Sequence, residues 1–271
     1  MKVYPCEVVP WTIIEKWYKK GTYIPYFEKN NEDLVDVVRY SMTTSPNWVR
    51  LPRVIRDIPR SYIECGNTVA NLRQVIDKKL DEEGVISMEI RSREIGRHSK
   101  YYNKPANYNS YYYYGNEGHE YFIAYESFDL RALFGFIRLR IVEEKNNFII
   151  FDVLKKRGLI RELHVYGDNT AVNTYDKGGC QHTGIGTGLL TCAEIKTMEN
   201  GLYGIVVISG EGVKEYYEKK GYKEIDTFMV KDFWFYQVWY YYLKANYYYS
   251  VLFILGLVVS LGFGLGFLCL I

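Results

Sequence analysis

The sequence lacks any paired-cysteine pattern. Its five cysteines, Cys6, Cys65, Cys180, Cys192 and Cys269, are scattered and odd in number, and none forms a Cys-x-x-Cys pair. That argues against a disulfide framework and a cysteine zinc site, and a reducing compartment fits better. It also lacks a strong charge balance: at net +2 over 271 residues, the whole-chain charge does not select a nucleic-acid partner, so charge distribution must decide. The opening stretch, "MKVYPCEVVPWTII", has no sustained apolar core and does not read as a signal peptide. What is present is a globular composition, 48% hydrophobic and 24% charged, with 28 tyrosines. Runs such as Tyr111 to Tyr114 read as compositional bias before they read as a binding surface.

One long apolar run stands at the other end. Val251 to Ile271 carries no charge, and about 20 apolar residues suffice for a helix to cross a bilayer core. The Trp- and Tyr-rich stretch Phe233 to Tyr249 precedes it, as at a membrane interface. The expectation is a single-pass tail anchor over 234–271 with the remainder in the cytosol.

Helical periodicity marks Asn31–Thr44 and Asn67–Gly84. Between Arg39 and Lys104 there are 13 Lys/Arg against 8 Asp/Glu. Arg50, Arg53, Arg56, Arg60, Arg91 and Arg93 belong to this basic segment, which reads either as a track for a phosphate backbone or as a solvated face. From 85 to 166 short β-branched or aromatic stretches read as strands: "VISMEIRSREIG", "YFIAYES", "ALFGFIRLRIVE", "NNFIIFDVL" and "LIRELHVYG". A glycine-rich loop, a helix from Thr187, a strand at 203–210, a helix at 211–221 and a final strand follow.

The loop carries the sharpest chemical signal. Gln181-His182-Thr183-Gly184-Ile185-Gly186 has the form Gln-x-x-Gly-x-Gly and runs through Thr187 into the helix. Glycines let a ligand reach main-chain amides, and a helix amino end adds free N–H groups and a partial positive charge. The pattern suits a pyrophosphate, although a loose glycine turn would also explain it.

With its neighbours this loop resembles the GNAT acetyltransferase superfamily, and more narrowly the family of the Elongator catalytic subunit, which modifies the wobble uridine of tRNA. "RELHVYG" is similar to that family's central acetyltransferase strand, "QHTGIGTGLLTCAE" to its CoA loop, and "IVVISGEGVKEYYEKKGY" to its next strand and double-tyrosine helix. Upstream, "VIRDIPRSYIECGNTVANLRQ" and "IRSREIG" resemble the segment joining its two catalytic domains. The resemblance implies an α/β (α+β) GNAT fold with a mixed central sheet at 85–233, preceded at 1–84 by the end of a radical-SAM barrel and a linker. It implies acetyl-CoA, held by the main chain of Leu163, His164 and Val165 and by the amides from Gln181 to Thr187. Tyr216 or Tyr217 would protonate the departing thiolate, with Glu162 or His164 as a base, and tRNA would lie along the arginines.

The family's Cys-x3-Cys-x2-Cys iron-sulfur motif is absent from this chain, so no cluster or S-adenosylmethionine site is expected on it. Ser87, Glu89 and Ser92 stand where some members carry cysteines, so no metal is expected. The partners implied are tRNA, a radical-SAM polypeptide or other Elongator-like subunits, and a membrane. Two other readings remain open: an autonomous membrane-anchored lysine acetyltransferase, and a non-catalytic anchored scaffold.

Overall fold

The computed structural model of the chain describes residues 1–29, 31–142, 149, 151–167 and 184–247. The fold is mixed α/β with one seven-stranded sheet. It divides into two compact units, Met1–Asn107 with Glu126–Phe134, and Tyr108–Tyr125 with Gly135–Ile271. The first unit therefore runs well beyond residue 84.

In the first unit, α1 (Ile13–Lys19), α2 (Tyr26–Lys29), α3 (Asn31–Thr44) and α4 (Leu72–Glu82) precede a short α5 (Ile90–Arg93). Leu34, Val35, Val38 and Met42 of α3 share one helical face and pack with Leu72, Ile76 and Leu80 of α4 around Leu51 and Val54. Helix α4 starts later than its sequence signal, with Asn71 at its cap. It is followed by Gly84 at φ +70°, in the left-handed region that glycine tolerates.

The stretch expected as a strand at 85–96 instead holds a helical turn, Ile90–Arg93, and the start of a 3-10 turn, Ile95–Arg97. The reason is Glu89, whose carboxylate accepts from the Arg91 and Ser92 amides and so winds the chain at that point.

The sheet order is β1-β2-β3-β4-β5-β7-β6, with β1 Ala106–Tyr114, β2 Gly118–Ser127, β3 Leu133–Val142, β4 Arg157–Val165, β5 Gly204–Val207, β6 Lys223–Ile225 and β7 Phe228–Asp232. The helices α6 (Ile185–Glu199), α7 (Lys214–Glu218) and α8 (Phe235–Ala245) complete the second unit. The expected closing strand is a hairpin, Ile225 paired with Phe228 across Asp226 and Thr227. Both turn residues have positive φ, which matches the twist of a two-residue loop. The tyrosine run set aside as bias forms β1, an edge strand whose exposure alternates with period two.

The membrane reading is corrected here. Among the described residues no helix is long and apolar enough to cross a membrane. Helix α8, at 11 residues, is about 16 Å long against a hydrocarbon core of about 30 Å. The aromatic stretch read as membrane-interfacial is an amphipathic helix: Val238 is buried, Phe235 stacks on Tyr203 at 6.2 Å, and Tyr242 lies against Gly201. Residues 251–271, on which the span was read, lie outside the described residues. The tail anchor, the membrane partner and the tail-anchored localisation are withdrawn.

Candidate acetyl-transfer cleft and basic segment

Two neighbouring strands of the second unit part company. β5 pairs in parallel with β4 only from Arg157↔Gly204 to Ile160↔Val207. β4 then continues along β3, through Arg138↔Glu162, Ile137↔Leu163, Phe136↔His164 and Gly135↔Val165. A register shift between Arg138 and Leu139 leaves Arg161 as an extra residue on β4, and a bulge of this kind bends its strand. From Arg161 to Val165 the edge facing away from β3 has no partner strand among the described residues. Such an edge presents main-chain donors and acceptors to an extended ligand.

Helix α6 begins beside that edge. Its cap, Gly184, sits at φ +80° and makes no side-chain cap bond, while its carbonyl accepts from the Gly188 amide at 2.9 Å. The cap itself, a glycine, offers no side-chain acceptor to the first-turn N–H groups, which leaves that helix end open to an anion. A Cβ on Gly186 would stand 3.1 Å from the Tyr216 hydroxyl and 3.6 Å from Val165 Cγ2. The end of β4, the first turn of α6 and Tyr216 of α7 thus meet around one glycine. Thr187 follows in the same turn. Gln181, His182 and Thr183 lie outside the described residues.

Tyr216 and its neighbour differ in kind. The Tyr216 hydroxyl oxygen is buried and meets no partner at full hydrogen-bond geometry. Burial raises its pKa, and a looser side-chain contact with Thr187 opposes the rise, so the hydroxyl stays protonated beside Thr187. Tyr217 is 5% exposed, set edge-on to both Tyr216 and Tyr222 at 5.2 and 5.6 Å. Burial pushes its hydroxyl up to about 12. The adjacent pair therefore splits into one core ring and one ring at the cleft. Behind them Tyr222 donates to Glu194 at 2.9 Å, and Lys231 reaches the same carboxylate at 2.9 Å.

Glu162 is half-exposed and accepts from Arg138 Nε at 2.9 Å. His164 stacks on Phe136 at 5.9 Å and stands 4.4 Å from the Tyr166 ring. Arg138 was missed as a site residue because a bulge sets which arginine of β3 faces Glu162, and a bulge leaves no mark in the sequence.

Arg50, Arg53, Arg56, Arg60, Arg91 and Arg93 do not form one surface. Arg53, Arg56 and Arg60 are exposed, and Arg53 pairs with Asp57, four residues on, at 2.5 Å. Arg50 and Arg91 converge on Glu94, at 2.7 and 2.6 Å. Arg93 is 1% exposed and bonds Glu126 at 2.5 Å, the Asn47 carbonyl and the Met88 carbonyl. A guanidinium so enclosed holds the fold and does not meet a substrate in solvent, which corrects its grouping with the others.

Glu89 is fully buried. It accepts from the Leu51 amide at 2.9 Å, the Arg91 and Ser92 amides, the Ser92 hydroxyl and Arg73 NH1 at 2.9 Å. Ser87 donates to the Met42 carbonyl. Among the described residues no group of three or more His, Cys, Asp or Glu is placed to hold a metal ion.

Residues 1–82 match the radical-SAM C-terminal domain. Elongator complex protein 3 of Bos taurus is 34% identical over 235 residues, covering 85% of this chain and 42% of that protein. The tRNA uridine(34) acetyltransferase of Methanocaldococcus infernus is 34% identical over 241 residues, 86% of this chain and 44% of that protein. The chain is similar to these acetyltransferases over most of its length. The structure of an archaeal Elp3 from Methanocaldococcus infernus superimposes with a TM-score of 0.71 at 34% identity, over 85% of this chain and 55% of that one. The chain thus spans about half the length of the relatives it matches.

Proposed function

We propose that this chain is the acetyl-CoA-using part of an enzyme that modifies the wobble uridine of tRNA. The observation that carries the reading is the buried Tyr216 hydroxyl above the glycine-led start of α6, beside the stretch of β4 beyond Ile160 that β5 does not pair. The similarity to tRNA uridine(34) acetyltransferases supports the substrate.

The residues fit the group. Main-chain atoms of Leu163, His164 and Val165 bind the pantetheine arm as an added strand. The amides of Gly184 to Thr187, with Gln181 to Thr183 before them, receive the pyrophosphate. Bound acetyl-CoA supplies an activated acetyl carbon with a thiolate leaving group. Tyr216 holds its proton at the hydroxyl oxygen and gives it to that sulfur, a general-acid role. Tyr217 fixes the ring of Tyr216 from the core. Glu162, paired with Arg138, stands beside the cleft as the candidate base. The arginine role narrows to Arg53, Arg56 and Arg60, with Arg50 and Arg91 held by Glu94. A radical-SAM polypeptide and Elongator-like subunits are the partners this reading implies.

Charge reversal of Arg53 and Arg56 tests the tRNA part. We expect the R53E/R56E chain to bind tRNA more weakly, with a shallower dependence on salt by about one unit per lost phosphate contact. Unchanged affinity and unchanged salt slope in a gel-shift titration would remove tRNA from this segment.

A further inference from the structure

The first unit holds a cavity of about 620 Å³ that the acetyl-transfer reading leaves unused. Three of its lining residues, Asp77, Leu80 and Asp81, come from one face of α4, at spacings of three and four. Val85 and Ile86 extend the apolar part. Arg97, Lys100 and Arg131 bring positive charge from other parts of the chain.

These cations differ in how firmly they are held. Arg93 also lines the cavity, but Glu126 and two carbonyls occupy its guanidinium. Arg97 reaches Asp77 only at 3.3 Å. Lys100 and Arg131 make no ion pair among the described residues; Lys100 lies over the Tyr101 ring at 5.4 Å. Neither is fixed by an ion pair, although Arg131 lies in the field of the Asp129 carboxylate, and Arg97 is loosely tied.

The lining asks three things of an occupant at once. The cations ask for an anion. Asp77 and Asp81 repel a bare anion and ask for hydrogen-bond donors. Leu80, Val85 and Ile86 ask for an apolar or flat ring surface. Inorganic phosphate meets the first demand alone. A ribose nucleotide meets all three, and carboxylates accepting from ribose hydroxyls are familiar chemistry in nucleotide sites. The volume also falls in the range of small-molecule sites, about 300–1,000 Å³.

We propose that this cavity is a nucleotide subsite. The phosphate lies on Lys100, Arg131 and Arg97, the ribose hydroxyls on Asp77 and Asp81, and the base along Leu80, Val85 and Ile86. The nucleotide is either free or an unpaired residue of an RNA strand, whose base can be splayed out for such contacts. The RNA source rests on the tRNA reading; the free-nucleotide source does not.

The test uses the full chain, with uridine 5′-monophosphate, inorganic phosphate and a tRNA anticodon stem-loop as probes. Two variants separate charge from space: K100A/R131A removes the two cations that no ion pair fixes, and S99W fills the rim of the cavity from an exposed position without changing charge. We expect the mononucleotide to bind at least ~10-fold tighter than phosphate, and K100A/R131A to weaken it ~10-fold or more, as lost charge-assisted bonds do. S99W should remove its binding although the charges remain. Mononucleotide binding no tighter than phosphate, or binding indifferent to both variants, overturns the proposal. Stem-loop affinity that falls in R53E/R56E but not in these variants, with no mononucleotide binding, leaves the tRNA reading standing and this one refuted. Mononucleotide binding lost in both variants, with no stem-loop binding by the parent chain, supports the subsite with a free nucleotide and ends the tRNA reading.

Discussion

Replacing Glu89 with alanine is predicted to loosen the first unit more than any surface change in the same segment. The carboxylate is fully buried and takes five donors: three main-chain amides, a hydroxyl and one guanidinium. Its removal leaves the buried Arg73 with only the Leu51 carbonyl, the Ser92 hydroxyl and the more distant Asp77 carboxylate, and breaking such a buried pair costs up to about 3–5 kcal/mol. The orphaned amides add to that. E89Q keeps the shape and loses the charge, and its NH2 group must face at least one donor, so it too destabilises. Hydrogen exchange read on peptides over 49–55 and 86–98 measures the effect locally, which suits a chain of two units better than one global transition. A 3 kcal/mol loss corresponds to exchange roughly 100-fold faster. Less than ~10-fold acceleration in E89A, or an E89Q chain exchanging like the parent, would refute the claim that this carboxylate organises the segment.

Two further outcomes follow from packing in the second unit. A Cβ on Gly188 would lie 1.9 Å from the Tyr108 hydroxyl, so G188A should destabilise by about 1–3 kcal/mol, and Y108A should relieve most of that in a double-mutant cycle of urea melts. Additive losses would mean that α6 does not press on β1 there. Tyr217, raised by burial to about 12, contributes stability that is complete below the unfolded value of about 10 and is lost as pH rises toward 12. Thermal melts between pH 8 and 11.5 should therefore fall above about pH 10, less steeply in Y217F; identical slopes would remove Tyr217 as a cause.

The sequence made most of the second unit legible because its strands and helices carry strong, regular patterns. The helix after the glycine loop and the strand "LIRELHVYG" appear nearly where read, at Ile185–Glu199 and Arg157–Val165. Three features escaped, each for a physical reason. The stretch around Glu89 alternates like a strand, but a buried carboxylate winds it into turns. The tyrosines of β1 look like bias until a neighbouring strand gives them a face. The aromatic segment before residue 248 looks interfacial, yet it folds as a helix with Val238 buried and Phe235 stacked on Tyr203. At the site, the glycines and the double tyrosine were legible. Which tyrosine faces the cleft was not, since adjacent helical positions differ only in what packs beside them. Arg93 reads as one more basic residue, and only its enclosure with Glu126 separates it from Arg53 and Arg56.

The central claim is that Tyr216 serves an acetyl-CoA cleft, and one measurement addresses it directly. Acetyl-CoA is titrated into the full chain by calorimetry, and free thiol release is then followed with tRNA present, for the parent chain and for Y216F. The account predicts binding by both, within a few-fold of each other, and a fall in thiol release of roughly 100-fold or more in Y216F. No binding to the parent chain, or equal thiol release by the two, would contradict it.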